Sequence, residues 1–128
     1  MSKDNISKST IMFTDIVGYS AMVNKDQEHA MELLSMHDKI IEPIIKQNGG
    51  EIIKKIGDSF FVEFQTPESS IITAQNAQIE LAKRNEVSNQ KDKVEIRIGL
   101  HNGDVIRKDD DLFGHDVNLC SRIESLAP

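Results

Sequence analysis

Two aspartates occupy positions where predicted strands begin or end. Asp15 closes the run STIMFTD, residues 9–15, which predicts a short strand, and Asp58 follows Gly57 at the start of a later strand. If these strands are neighbours in one sheet, both carboxylates reach the same edge. Two such carboxylates can bind a hard divalent cation such as Mg²⁺, whose other ligands are water and substrate phosphates. The alternative is that Asp15 is a helix-entry residue and Asp58 a turn residue.

The segment IVGYS, residues 16–20, connects the first strand to the first helix. The backbone N–H groups of Gly18, Tyr19 and Ser20 are candidates for binding phosphate oxygens, as N–H groups at helix N-termini do. This segment therefore adds a possible phosphate site beside the possible cation site.

Asn118 and Arg122 lie four residues apart, so they share one face of the last predicted helix. Arginine can bind a phosphate through two parallel hydrogen bonds, and asparagine can donate to a sugar or phosphate oxygen. A solvated helix face explains the same spacing, and both interpretations stay open.

The elements that must position these residues follow from hydrophobic periodicity and turn signals. In order, they are a strand at 9–15, a helix capped by Asn24 and ended by Gly49-Gly50, a hairpin around Gly57, a helix opened by Thr66-Pro67, a strand at 94–100, a turn at Asn102-Gly103, a short strand and a helix at 115–127. This order predicts an α+β fold, a ferredoxin-like sandwich with helices on one face of a mostly antiparallel sheet.

We expect residues 1–8 to form a flexible tail and residues 9–128 to form one domain. The sequence stops just after the last predicted helix, where a sheet of this kind usually continues. The C-terminal strands of such a domain are therefore expected to be missing.

The charge and cysteine content exclude some classes of partner. The formal net charge of −6 argues against a nucleic-acid or anionic-membrane surface. No apolar run is long enough to span a membrane. The single cysteine, Cys120, cannot form an internal disulfide, which favours a cytoplasmic location.

Three stretches carry a resemblance to a known family. They are IMFTDIVGYSAM near the start, IIKKIGDSFFVEF in the middle and RIGLHNGDVIRKDDDLFGHDVNLCSRIESLA at the end. In order and spacing, along nearly the whole chain, they resemble the class III nucleotidyl cyclase catalytic domain, the adenylyl and guanylyl cyclase family. The resemblance implies conversion of ATP to 3′,5′-cyclic AMP and pyrophosphate with two Mg²⁺ or Mn²⁺ ions per active site.

The resemblance also implies a role for each matching residue. The metal ligands are Asp15, Asp58 and the carbonyl of Ile16; the base-recognition pair is Lys54 and Asp111; the transition-state pair is Asn118 on the ribose side and Arg122 on the phosphate side. Lys54 with Asp111 favours ATP over GTP, because lysine donates to adenine N1 and aspartate accepts from the exocyclic amine. Guanine presents the opposite pattern and leaves both side chains mispaired.

A head-to-tail homodimer is a further implication of the resemblance. Asp15 and Asp58 of one chain would hold the metals, while the base-recognition and transition-state pairs come from the other chain. Cyclase domains are commonly attached to sensors, so a regulatory sensor domain in a longer chain is also expected.

Alternatives to an active adenylate cyclase remain. In the family, further strands and a lysine that binds the terminal phosphates follow the last helix, so these 128 residues alone are expected to have weak or no activity. The main alternative is a catalytically weak or inactive module for nucleotide binding or dimerisation. A guanylate cyclase is a lesser alternative, and a diguanylate cyclase is disfavoured because the hairpin reads KIGDSF, without a GGDEF-like motif.

Overall fold

A computed structural model describes residues 6–108 and 111–113, with side chains described over residues 8–105. The elements are β1 (Ile6–Ile16), α1 (Tyr19–Lys25), α2 (Gln27–Gln47), β2 (Glu51–Ile56), β3 (Ser59–Phe64), α3 (Pro67–Glu86), β4 (Ile96–Lys108) and β5 (Asp111–Phe113), with a short 3₁₀ helix (Gln90–Asp92) before β4. The strands form one sheet in the order β2-β3-β1-β4-β5, and each neighbouring pair is antiparallel.

One face of the sheet packs against the helices. Alternate strand residues, among them Met12, Val62 and Phe64, share a fully buried cluster with Ile41 of α2 and Leu81 of α3. Burying a side chain of this size stabilises the fold by about 1.5–3 kcal/mol. The predicted α+β fold, with helices on one face of an antiparallel sheet, is confirmed.

The other face of the sheet has a smaller apolar cluster. Ile11, Phe61 and Val105 are buried there, and the ring of Phe13 stacks on Phe61 with centroids 4.5 Å apart. The two edge strands, β2 and β5, are in contact although three strands separate them in the sheet order. The sheet is therefore curled, and residues from both of its edges come together.

The helical region before β2 differs from the prediction. One helix capped by Asn24 was expected, but the structure has two, and Asn24 lies inside α1. The cap of α2 is Asp26, whose carboxylate accepts a 3.1 Å hydrogen bond from the N–H of His29. Asp26 lies three residues before His29, the spacing at which a side chain satisfies an otherwise unpaired N–H group of the first turn.

The cap of α3 follows the prediction. Thr66 precedes Pro67 at the first helical position, and its hydroxyl accepts a 3.2 Å hydrogen bond from the N–H of Ser69. Proline there loses no intrahelical hydrogen bond, because the first N–H groups of a helix have no intrahelical partner.

The strands β1 and β4 are longer than predicted. β1 begins at Ile6 rather than at residue 9. The turn predicted at Asn102-Gly103 is wrong, because β4 continues through both residues to Lys108. The hydroxyl of Thr10 on β1 donates a 2.9 Å hydrogen bond to the Asn102 side chain, and Gly103 pairs with Ser9. A long partner strand thus overrides a dipeptide that favours turns. The helix predicted at 115–127 lies outside the described residues.

Candidate functional site

Asp15 and Asp58 come together at the end of β1. The strands β1 and β3 are neighbours, and Gly57, with φ 57°, forms the tight turn that starts β3. The carboxylate of Asp58 accepts a 2.7 Å hydrogen bond from the N–H of Ile16, the residue that follows Asp15. Asp58 therefore lies against the backbone at the end of β1, at the residue next to Asp15 in the chain, and the shared role of the two acidic residues in metal binding stays a prediction.

Asp15 is paired with a residue that the sequence analysis did not single out. Arg97 lies directly opposite Asp15 in the β1–β4 register. Its Nε is 3.1 Å from Oδ1 of Asp15, and a terminal nitrogen is 3.1 Å from Oδ2. The Arg97 side chain is 29% exposed and the Asp15 side chain 20%, so the pair is partly shielded from water. In the sequence, Arg97 occupies a polar position in the alternating pattern of residues 94–100, which marks it as a residue on the face away from the core. Only the strand register shows that its partner is Asp15.

The segment after β1 turns into α1 through Gly18. This residue has φ 71°, a left-handed conformation that glycine adopts without strain. The N–H of Ile16 donates to the Asp58 carboxylate, and the N–H of Val17 donates a 2.9 Å hydrogen bond to the carbonyl of Glu95. The intrahelical bond from Met22 to the Gly18 carbonyl closes the first turn.

The first N–H groups of α1 are therefore the remaining donors of this segment. Gly18, Tyr19 and Ser20 precede the residues whose N–H groups the helix itself satisfies. Tyr19 is partly buried and packs against the helix-side core, which anchors the start of α1.

Lys54 lies on the face of the sheet that carries the smaller apolar cluster. Its Nζ is 5.4 Å from the ring centroid of Phe61, at a point where the β2–β3 register shifts between Ile52 and Lys54. Besides its partner β3, β2 also contacts β5, the strand that includes Asp111. The two residues predicted to recognise the base thus belong to strands in contact. Asn118 and Arg122 lie outside the described residues.

The donors at this site fit a hard divalent cation. Within residues 6–108 and 111–113, no group of three or more His, Cys, Asp or Glu side chains is placed to hold a metal. Mg²⁺ needs only one or two carboxylates when substrate phosphates and water complete its shell. Asp15, Asp58 and the carbonyl of Ile16 supply oxygen donors of that type.

A buried histidine supports the hairpin that carries Asp58. His37 of α2 is 0% exposed, and its ring packs 5.8 Å from that of Phe60. Nδ1 of His37 is 2.8 Å from the carboxylate of Asp38, which also lies 3.3 Å from Nζ of Lys55. Burial lowers the pKa of His37, and its Nε2 has no hydrogen-bond partner among the described residues. The neutral imidazole is therefore part of the packing between α2 and the hairpin.

All of residues 1–128 match the family model of the adenylate and guanylate cyclase catalytic domain. The chain belongs to this family. The resemblance to class III nucleotidyl cyclases is thereby confirmed. Among curated relatives, a putative adenylate cyclase 3 of Rhizobium meliloti (strain 1021) is 32% identical over 130 residues, covering 99% of this cyclase-family chain and 22% of the relative.

A second relative and two solved structures extend the comparison. An adenylate cyclase of Streptomyces coelicolor is 26% identical over 91% of this chain and 29% of its own length. The crystal structure of an adenylate/guanylate cyclase/hydrolase from Silicibacter pomeroyi superimposes with a TM-score of 0.88 at 28% identity, over 96% of this chain and 72% of that one. A bacterial light-regulated adenylyl cyclase gives 0.83 at 25% identity, over 94% and 70%.

The chain spans less than a third of the length of the curated relatives it matches. In the part of the chain that the structure describes, no helix is both long enough and apolar enough to cross a membrane.

Proposed function

We propose that this chain is an adenylate cyclase domain that converts ATP into 3′,5′-cyclic AMP and pyrophosphate. The observation that carries the proposal is the convergence of Asp15 and Asp58 on Ile16, in a chain that belongs to the cyclase family. Two relatives named as adenylate cyclases support ATP as the substrate.

The acidic residues would hold Mg²⁺ or Mn²⁺, two ions per site. When bound, such ions lower the pKa of the ribose 3′-hydroxyl and offset negative charge on the leaving pyrophosphate. The hydrogen bond from the Ile16 N–H to the Asp58 carboxylate supports this role, because it holds that carboxylate at the end of β1. The N–H groups of Gly18, Tyr19 and Ser20 would donate to phosphate oxygens at the start of α1.

The reaction is an in-line substitution within one nucleotide. The 3′-oxygen forms a bond to the α-phosphorus, the bond from that phosphorus to the bridging oxygen breaks, and the hydroxyl proton is lost to solvent. Arg122 would stabilise the negative charge that develops on the α-phosphate, and removing a preorganised donor of this kind costs on the order of 10²–10³ in rate. Asn118 would orient the ribose so that its 3′-oxygen is aligned for attack.

Lys54 and Asp111 would select adenine. The contact between β2 and β5 supports this pairing, because it brings together the two strands that carry these residues. Lysine donates to adenine N1 and aspartate accepts from the exocyclic amine, whereas guanine leaves both groups mispaired. A guanylate cyclase is the alternative that this pairing disfavours.

The active site would be shared by two chains in a head-to-tail homodimer. Asp15 and Lys54 both lie on the face of the sheet opposite the helices. With a two-fold axis between two chains, each chain would contribute its metal-binding residues to one active site and its base-recognition residues to the other. An attached sensor domain and a cytoplasmic location remain predictions.

Cyclic-AMP formation from ATP, measured as a function of protein concentration with Mg²⁺ or Mn²⁺, tests the proposal. A specific activity that rises with concentration is the expected result, because each site needs two chains. Mixing the Asp15→Asn and Arg122→Ala chains in equal amounts should restore roughly a quarter of the wild-type activity, since half of the dimers then contain one intact site of two. No recovery on mixing would contradict a shared site, and faster cyclic-GMP formation from GTP would contradict ATP selectivity.

A non-catalytic nucleotide-binding module is the second candidate. The observation that favours it is the pairing of both Asp15 carboxylate oxygens with Arg97. Saturable ATP binding without turnover, at every protein concentration and with either metal, would support this alternative.

A further inference from the structure

The ion pair between Arg97 and Asp15 has a consequence for metal binding. We propose that Arg97 is an exchangeable counter-ion, which occupies Asp15 until a divalent cation displaces it and thereby weakens metal binding in the absence of nucleotide. This inference rests on the proposed function, because it takes Asp15 as a metal ligand.

The geometry supports exchange rather than sharing. The guanidinium of Arg97 contacts both oxygens of Asp15 at 3.1 Å. A divalent cation bound to the same carboxylate would lie about 2 Å from an oxygen, so it would lie close to the guanidinium. The positive charges of the cation and of the guanidinium would repel each other at such close range, and partial burial makes this repulsion stronger than it is in water. Metal binding is therefore expected to require movement of the Arg97 side chain.

The two acidic residues differ in how they are held. Asp58 accepts a hydrogen bond from a backbone N–H at one oxygen, which would leave the other oxygen to bind a metal. Asp15 is held by a long side chain that is 29% exposed and can move off by rotation about its own bonds. Asp58 is therefore the fixed ligand, and Asp15 is the ligand that becomes accessible when Arg97 leaves.

A positioning role for Arg97 predicts the opposite result. In that role Arg97 would stay bound to Asp15 and orient its carboxylate for the metal, as hydrogen-bond partners of metal ligands often do. Removing Arg97 would then weaken metal binding. The direction of the change in affinity therefore separates exchange from positioning.

Nucleotide-free Mn²⁺ binding, followed by electron paramagnetic resonance, tests the inference on five forms of the 128-residue chain. The forms are wild type, Arg97→Gln, Arg97→Lys, Asp15→Asn and Lys93→Gln. Lys93 is exposed just before β4, so its substitution removes one positive charge without touching Asp15. We expect Arg97→Gln to bind Mn²⁺ about tenfold more tightly than wild type, Lys93→Gln to stay within about twofold, and Asp15→Asn to lose binding.

Other outcomes overturn the inference in distinguishable ways. Unchanged or weaker binding by Arg97→Gln, with binding lost in Asp15→Asn, would overturn the counter-ion role and leave the metal site standing. Equal binding by wild type and Asp15→Asn would overturn both. Circular dichroism checks the fold of each variant. Arg97→Lys keeps the positive charge but loses the planar guanidinium, so its Mn²⁺ affinity should lie between those of wild type and Arg97→Gln.

Discussion

The two faces of the sheet are made by the same strands but have different chemistry. On the helix side, Met12 and Phe64 are fully buried among aliphatic side chains. On the other side, the same strands carry Asp15 with its partner Arg97, and Lys54 lies over the ring of Phe61. Alternation along each strand separates the two sets. The comparison indicates that the helix side holds the larger part of the core, whereas the other side combines a smaller apolar cluster with the charged groups that would bind a nucleotide and its metals.

The largest expected effect comes from the charged face. Asp58→Asn keeps the size of the side chain but removes the charge that a metal needs, so cyclase activity should fall by about 10³ or more. The melting temperature, measured by circular dichroism, should change little. Wild-type-like turnover by the purified variant would show that Asp58 is not a metal ligand.

A substitution on the helix side should mainly lower the stability of the fold. Phe64→Ala leaves a cavity beneath α2 and should lower the free energy of unfolding by about 3–5 kcal/mol, measured by urea denaturation. Phe13→Ala is the matched control, because this ring is only partly buried on the opposite face. A loss at Phe13 equal to that at Phe64 would contradict the division of roles between the faces.

Substrate selection should change without loss of the fold. Lys54→Glu combined with Asp111→Cys removes the proposed adenine contacts, and an unpaired polar group at such a contact costs about 1–3 kcal/mol. The ratio of kcat/KM for ATP to that for GTP should therefore fall by at least about tenfold. An unchanged ratio would remove these two residues from base recognition.

The smallest expected effect concerns His37, beneath the hairpin. Burial lowers its pKa below the ordinary value of 6.5, so the folded chain binds fewer protons than the unfolded chain as the pH falls below about 6.5. The stabilisation by neutral His37 is thus complete above pH 6.5 and is lost as the pH falls toward the folded pKa.

Urea unfolding at about pH 7.5 and about pH 5.5 measures this contribution. His37→Phe should lose less stability between the two pH values than wild type loses. His29→Gln, at a partly exposed histidine of the same helix, is the control for replacing a histidine elsewhere in α2. An equal loss in wild type and His37→Phe would show that His37 does not contribute to acid sensitivity.

Local signals predicted much of the fold and the proximity of Asp58 to the end of β1. Thr66-Pro67 predicted the start of α3, and Gly57 predicted the hairpin turn, because caps and tight turns depend on neighbouring residues. Asp15 at the end of β1 and Asp58 after the turn before β3 predicted that Asp58 lies near the end of β1, once those strands were assumed to be neighbours.

Other features depended on partners distant in the sequence. Nothing local to Asn102-Gly103 shows that β1 pairs with it and keeps it extended. The contact between Arg97 and Asp15 links residues 82 positions apart, and the contact between β2 and β5 joins opposite edges of a curled sheet.

The sequence by itself determined the residue types, the alternation along the strands, the caps and the family to which the chain belongs. The tertiary structure alone decided the register of β1 with β4, and through it the partner of Asp15. The physical reason is that strand register is set by packing and pairing across the whole sheet, whereas propensities act over only a few residues.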